Sequence, residues 1–327
     1  MLTGIIAALL AALAWSLNFV VPFVIGDYSV FDFALFRFLI SGLLGFGFLA
    51  CNLRAVGSLR LADWLMAFWL GIIGYLGYFL AVVGAAIYAG PVIAPAFLGL
   101  VPVVLAIAGN WRQRTVSWRD LMLPLSLTAV GLILVNSGSF NPASRVKLES
   151  VVLGISFALA AVGLWTWFGL LNQSELAKRT QIDAGVWTAL IMAGAGLGML
   201  VFVPFGSLLS VFEIPRLGLR WETAGPLYIW GTSLAVIASV GGALAWTYAA
   251  KRLPVVLSAQ LITMETLFGT IFGLLVRHRW PTLVEIFGMT LLLIGVLTVI
   301  RIVYGQKSRL PIPNDSVLPK LAPSASR

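Results

Sequence analysis

Two charged side chains stand inside stretches of the sequence that are otherwise apolar. Arg37 lies in residues 33–52 and Glu265 in residues 255–276. A charge in apolar surroundings is costly, so such residues usually pair with each other or serve a function. Three roles are open for Glu265: pairing with Arg37, carrying a coupled proton, or binding the ammonium group of a ligand.

Aromatic and small polar residues recur at helical spacing in several apolar stretches. Trp15, Asn18 and Pro22 are three and four residues apart, so they share one helix face. Ring faces stack on aromatic ligands and attract cations. Asn18 either lines such a site or bonds a neighbouring helix, and ordinary packing is the alternative for each ring. The other candidates for a cavity lining are Tyr75, Tyr78, Phe79, Trp165, Ser239 and Trp246. Trp165 is preferred to Trp167, which points to another face, because Trp165 matches Trp15.

Proline interrupts the fourth stretch at Pro95 and Pro102, and Pro22 lies near the end of the first. An interior proline has no N–H group and leaves a carbonyl without its helical partner. Such a residue acts either as a hinge or as a source of free carbonyls for an ammonium group. Gln260 and Met264, one turn apart beside Glu265, complete the candidate lining.

The composition indicates that the apolar stretches carrying these residues cross a membrane. Hydrophobic residues make up 60% of the chain, charged residues 10%, and the mean hydropathy is +1.01, whereas soluble domains are about 45–50% apolar. An apolar run of about 20 residues crosses a bilayer as a helix. Such runs predict an all-α protein with ten transmembrane helices at 2–25, 33–52, 63–88, 91–110, 119–136, 151–172, 184–205, 224–250, 255–276 and 281–304.

The basic residues predict the orientation of these helices. With the N-terminus in the cytoplasm, 14 Lys and Arg residues lie inside and 6 outside, and Arg37 lies within a helix. Because basic loops stay in the cytoplasm, both termini are predicted there. The net charge of +9 therefore reflects topology, and no nucleic acid partner is expected. Residues 137–150 are expected to form a periplasmic linker, and 305–327 a disordered tail.

Weak internal similarity divides the chain into two halves. The segment from Gly4 to Trp15 matches the segment from Gly154 to Trp165. A shift of 164 residues pairs Ala81, Ala85, Ala86 and Gly131 with Ala245, Ala249, Ala250 and Gly295. The repeats are predicted at 1–136 and 151–304. Since five helices are an odd number, the second repeat must be inverted, an arrangement typical of transporters with a site near the midplane.

The sequence lacks the parts that most enzymes need. Cys51 is the single cysteine and His278 the single histidine, so metal sites built from several such residues are excluded. The sequence contains no Gly-rich nucleotide-binding motif of the form Gly-x-x-x-x-Gly-Lys-Ser/Thr. ATP is therefore not the expected energy source. We expect no enzyme activity and no cofactor or metal. A channel is the remaining rival, but no filter-like element is evident.

The residues resemble the drug/metabolite transporter superfamily in its EamA-type ten-helix branch, over residues 1–304. The resemblance rests on Trp15 and Trp165, on Ala34-Leu35-Phe36-Arg37-Phe38, on the junctions from Ala85-Ala86 to Pro102 and from Ala249-Ala250 to Glu265, and on Gly131-Leu-Ile-Leu with Gly295-Val-Leu-Thr. Two departures weaken the transfer of substrate details. The family's Gly-Glu at two helix ends is here Trp111-Arg112 and Arg277-His278, and its Glu-Pro is Glu265-Thr266.

Within this family the chain is most similar to the YddG-type exporters of aromatic amino acids. The resemblance implies export of Phe, Trp and Tyr, and of aromatic cations such as methyl viologen, across the bacterial inner membrane by alternating access. It implies a carrier that works as a monomer among membrane lipids. Other small metabolites or drugs are the alternative substrates, and a phosphate-bearing substrate is disfavoured because only Arg37 offers an inward positive charge.

Overall fold

The computed structural model describes residues 1–137 and 148–308, in which all regular elements are helices. The side chains of 89–96, 98, 148 and 306–308 lie outside this description. We label the long helices in chain order: α1 Leu2–Ser16, α2 Val30–Cys51, α3 61–98, α4 Val101–Gln113, α5 Trp118–Ser137, α6 Leu148–Lys178, α7 Ala184–Leu208, α8 Trp221–Ala250, α9 Val255–Val276 and α10 Leu283–Ser308. The expected linker and tail fall largely on 138–147 and 309–327, outside the described residues.

The prediction of an all-helical, multi-pass membrane protein is confirmed. In the part of the chain that the structure describes, nine helices are long and apolar enough to cross a membrane. α4, with 13 residues, is not among them. Short helical turns at Leu53–Val56 and Ile214–Leu217 connect neighbouring helices.

The predicted break between residues 88 and 91 was wrong. The helix continues through this region to Leu98, and the chain turns at Gly99 and Leu100 before α4. Proline inside a membrane helix is tolerated when neighbouring groups satisfy the freed carbonyl. Pro102 instead lies in the first turn of α4, where its missing N–H is not needed.

The first predicted helix also changes character before its end. Regular α-helix stops at Ser16, and tighter turns follow at Leu17–Phe19 and Val21–Phe23. Pro22 has no N–H to donate back to residue 18, and the amide of Asn18 donates to the carbonyl of Trp15 at 2.8 Å. The α-helical ladder therefore ends close to the candidate lining residues.

Carboxylates at helix ends act as caps. Ser29 and Asp32 form a reciprocal capping box at the start of α2, and Asp183 accepts from the N–H of Gly185 at the start of α7. Asp32 also accepts from the backbone N–H of Glu213 at 3.0 Å. This contact fastens the start of α2 to the connection between α7 and α8.

Close contacts between helices explain several small residues. A Cβ atom on Gly42 in α2 would lie 2.9 Å from the Cα of Gly196 in α7, so these backbones touch. α5 packs on α10, α6 packs along α3, and α1 packs on α8 and α9. The largest buried cluster includes Trp15, Trp165 and Trp246, and a second cluster includes Met264.

Two helices contain a π-helical segment near their middle: Ile72–Gly77 in α3 and Ala235–Gly242 in α8. The wider π-turn is rare, shifts the hydrogen-bond ladder and is frequent at functional sites. These segments carry Tyr75 and Ser239, both of which are buried. Neither segment was predicted from the sequence.

Candidate functional site

Four aromatic rings from four helices meet in the interior. The ring of Trp15 in α1 lies 5.4 Å from Trp165 in α6 and 5.8 Å from Trp246 in α8. Tyr78 in α3 lies 4.8 Å from Trp165. The first pair meets edge to face at 83°, a geometry that ring quadrupoles favour. We call Trp15, Tyr78, Trp165 and Trp246 the aromatic cluster.

More rings extend the aromatic cluster along α2, α3 and α6. Phe168 lies 5.2 Å from Trp165 and 5.5 Å from Tyr75. Phe79 lies 5.8 Å from Phe38, the neighbour of Arg37. The sequence reasoning missed Phe168 and Phe38. Phe168 is one helical turn after Trp165, and that spacing could have identified it.

Arg37 is buried beside this cluster, and its hydrogen-bond partners among the described residues are neutral. Its Nε donates to the hydroxyl of Ser239 at 2.7 Å, and its Nη1 donates to Oδ1 of Asn18 at 2.5 Å. The guanidinium also lies 5.5 Å from the ring of Phe38. Arg37 is 6% exposed. Three predicted residues, Asn18, Arg37 and Ser239, are thus brought together from α2, α8 and the turn after α1.

Trp15 connects the aromatic cluster with the π-helical segment of α8. Its Nε1 donates to the carbonyl of Ala238 at 2.9 Å, next to Ser239. A Cβ atom on Gly242 would lie 2.7 Å from the same nitrogen, so glycine makes room for the indole. The indole nitrogen of Trp246 is buried without a hydrogen-bond partner among the described residues. One turn of α8 therefore holds both Trp15 and Arg37.

Glu265 interacts electrostatically with Arg37 and Tyr78. Among the described residues it forms no hydrogen bond, and no ion pair joins it to Arg37 within 4.0 Å. The direct pairing considered from the sequence is therefore not formed in this structure. Neither charge therefore has an oppositely charged contact among the described residues.

Gln260 and Met264 pack away from the aromatic cluster. Gln260 accepts from the hydroxyl of Thr128 in α5 at 2.8 Å, and its amide nitrogen has no partner in the described chain. Met264 belongs to the second buried cluster, with residues of α1, α5 and α10. The structure does not bring these two residues together with Trp15 and Arg37.

The predicted prolines occupy three different settings. Pro22 lines a cavity of about 380 Å³ with Tyr28, Val83 and Val211. This cavity lies at the face of the molecule where α1 ends and α2 begins. The side chain of Pro95 lies outside the described part of the chain. Pro102 lies in the first turn of α4, shortly after the turn at Gly99. Its role as a hinge stays a prediction.

Trp167 illustrates the opposite placement to Trp165. Its side chain is 48% exposed and lies 5.9 Å from Trp69 on the outer surface. Trp165 and Trp167 thus take an inward and an outward position, as their spacing predicts.

The described residues include no group of His, Cys, Asp and Glu that could hold a metal ion.

Known proteins match this chain in sequence. A sequence model of the EamA-like transporter family matches residues 2–137. The inner membrane protein YtfF of Escherichia coli (strain K12) is 28% identical over 308 residues, which cover 92% of this chain and 96% of that protein. Residues 2–137 therefore resemble the EamA-like transporters, and the chain as a whole resembles a bacterial inner membrane protein. The predicted family is supported over residues 2–137, whereas the similarity to aromatic amino acid exporters stays a prediction.

A solved crystal structure of a protein shares this architecture. It superposes with a TM-score of 0.73 at 17% sequence identity, covering 93% of this chain and 98% of the other. At that identity the likeness concerns the fold alone. It supports the helical arrangement around the site.

Proposed function

We propose that this protein is a secondary transporter that exports aromatic amino acids, namely Phe, Trp and Tyr, across the bacterial inner membrane by alternating access. The relative YtfF is named as an inner membrane protein, which supports that location. Aromatic cations such as methyl viologen are a second candidate, because ring faces attract cations by about 0.5–2 kcal/mol.

The observation that carries the proposal is the aromatic cluster beside Arg37. Its rings come from α1, α3, α6 and α8, so both halves of the chain contribute. An aromatic side chain among such rings gains about 0.5–1.5 kcal/mol per ring pair beyond burial. Rocking of the helices against one another would open this region first to one side of the membrane and then to the other.

Helix packing supports an inverted repeat of five plus five helices. α1 packs on α8 and α9, and its counterpart α6 packs on α3 and α4. α2 packs on its counterpart α7, and α5 on α10. The shift of 164 residues that aligns the halves also carries Tyr75 to Ser239, and so one π-helical segment onto the other.

The proposed topology places both termini in the cytoplasm. The face where α1 begins would then be cytoplasmic, and the 380 Å³ cavity beside Pro22 would open toward the periplasm. The 14 to 6 division of basic residues supports this orientation. Within this framework a single chain contains the whole pathway, so a monomer suffices.

Counterflow in proteoliposomes tests the function. Labelled Phe or Trp is taken up against an internal pool of unlabelled substrate, with Leu, Lys and Asp as competitors, at zero and imposed pH gradients. We expect saturable uptake that Trp and Phe inhibit best. Equal inhibition by Leu or Lys would favour a carrier of other metabolites, and an unsaturable current would favour a channel.

Two neighbouring tryptophans offer a matched control. Trp165→Leu removes a ring from the aromatic cluster, whereas Trp167→Leu removes one from the outer surface. We expect Trp165→Leu to lose the preference of Phe over Leu, and Trp167→Leu to keep it. Equal effects of both substitutions would contradict an aromatic site at the cluster.

A further inference from the structure

Arg37 has more hydrogen-bond donors than the protein uses. A guanidinium offers five N–H groups in a planar fork. Only one on Nε and one on Nη1 have partners among the described residues, namely Ser239 and Asn18. Both partners are neutral, and no carboxylate lies within 4.0 Å. A buried positive charge is thus left without an anion, although such charges are normally paired.

The two neutral partners fix the direction of the guanidinium. Asn18 donates to the carbonyl of Trp15, which leaves its Oδ1 to accept from Arg37. Ser239 lies in the π-helical segment of α8, next to the carbonyl that Trp15 bonds. Because both acceptors are anchored, the guanidinium is held in place, and N–H groups of Nη1 and Nη2 are left for a further acceptor. A guanidinium can present two parallel N–H groups to the two oxygens of a carboxylate.

We propose that Arg37 binds the carboxylate of the transported substrate, while the aromatic cluster receives the ring of its side chain. Asn18 and Ser239 are positioning residues that hold the guanidinium for this contact. The proposal rests on the proposed function and narrows it to aromatic carboxylates. An aromatic cation without a carboxylate, such as methyl viologen, would meet an uncompensated positive charge and bind weakly.

The direct test compares ligands that differ in one group. The purified full-length protein is titrated with Phe, 3-phenylpropionate, phenethylamine and methyl viologen, and dissociation constants are measured. We expect Phe and 3-phenylpropionate to bind at least about tenfold tighter than phenethylamine, a difference typical of a charge-assisted bidentate contact. Equal binding of phenethylamine and Phe, or no binding of either carboxylate, would overturn the proposal.

Variants at Ser239 test the positioning role without removing the charge. Ser239→Ala should weaken Phe binding by about three- to tenfold and leave phenethylamine unchanged, and Ser239→Thr should restore Phe binding. Ser258→Ala is the matched control, because the buried hydroxyl of Ser258 has no partner in the described chain. An equal loss in Ser258→Ala, or an equal loss for both ligands in Ser239→Ala, would contradict the assigned role.

Leucine and isoamylamine separate this proposal from the proposed function. If Leu binds as well as Phe but isoamylamine does not bind, the aromatic preference fails and the carboxylate contact stands. If phenethylamine binds as well as Phe and Leu does not bind, the aromatic preference stands and the role of Arg37 fails.

Discussion

The protein holds one buried and one half-buried arginine, Arg37 and Arg179, in different electrostatic settings. Arg179 follows α6 and bonds two carboxylates: its Nε lies 2.6 Å from Asp63 of α3, and its Nη1 bonds Glu175 of α6. Burial opposes its charge, but the hydrogen bonds to Asp63 and Glu175 outweigh this and raise the pKa of Arg179. Within the described part of the chain, Arg37 bonds the neutral groups of Asn18 and Ser239 and no carboxylate.

Arg179 has a structural charge that is paired within the protein, whereas the charge of Arg37 is available to a ligand. Arg179 is also 5.4 Å from the ring of Trp187, and its carboxylate partners tie the start of α3 to the end of α6. Its bonding capacity serves the fold. Arg37 has an aromatic setting of the same kind in Phe38, yet no carboxylate of the described residues lies within 4.0 Å of its charge. We infer that the missing partner comes with the substrate.

Removing the charge of Arg37 should have the largest effect on transport. Arg37→Gln leaves a shorter, neutral polar side chain and loses the charged fork, so uptake of Phe should fall by about a hundredfold. The measurement is counterflow of labelled Phe at equal amounts of folded, reconstituted protein. Phe uptake within about threefold of the wild-type rate would break the comparison.

Glu265 extends the comparison to the carboxylates, because Asp63 and Glu175 have arginine partners, whereas no described arginine contacts Glu265. If Glu265 carries a coupled proton, Glu265→Gln should abolish the dependence of uptake on the pH gradient while counterflow without a gradient continues. Initial rates at imposed gradients measure this. Unchanged gradient dependence would remove Glu265 from the proton role.

Arg179→Gln should affect stability more than transport. The substitution leaves Asp63 and Glu175 without their shared partner, but the Arg179 side chain is 16% exposed, which reduces the cost. We expect a loss of about 1–2 kcal/mol, seen as a lower melting temperature of the purified protein. The dissociation constant for Phe should stay unchanged. A large rise in it would contradict the claim that Arg179 has a structural role and Arg37 a binding role.

The smallest effect is expected at a single indole nitrogen. Trp15→Phe keeps a ring in the aromatic cluster but removes the bond to the carbonyl of Ala238, and should weaken Phe binding by about fivefold. Trp187→Phe is the control, because it removes a buried indole bond, to Asn172, from a ring that is not part of the aromatic cluster. Equal weakening in the control would show that general destabilisation explains both.

Apolar runs and local spacing predicted much of this architecture. They gave nine of the helices approximately and the inward position of Trp165, because bilayer thickness and helical periodicity act locally. The continuation of α3 to Leu98 was missed, since the tolerance of proline depends on neighbours that the sequence does not reveal. The π-helical segments were missed for a similar reason: tertiary packing selects them over regular helix.

Within the site, the sequence predicted residue types better than partners. Asn18, Arg37 and Ser239 were all candidates, and pairing of Arg37 with Glu265 was one of three open roles, but Arg37 bonds Asn18 and Ser239. The bond between Arg179 and Asp63 joins residues 116 positions apart and was not foreseen. Gln260 was predicted near the site from its spacing to Glu265. In the structure its side chain instead accepts a hydrogen bond from Thr128.

The most direct test of the account is the dissociation constant for Phe in Arg37→Lys and Arg179→Lys, measured side by side. Both substitutions keep the positive charge and remove the planar fork. We predict that Arg37→Lys raises the constant at least about tenfold and that Arg179→Lys leaves it unchanged. Wild-type affinity in Arg37→Lys, or an equal loss in both variants, would contradict the claim that Arg37 holds the substrate.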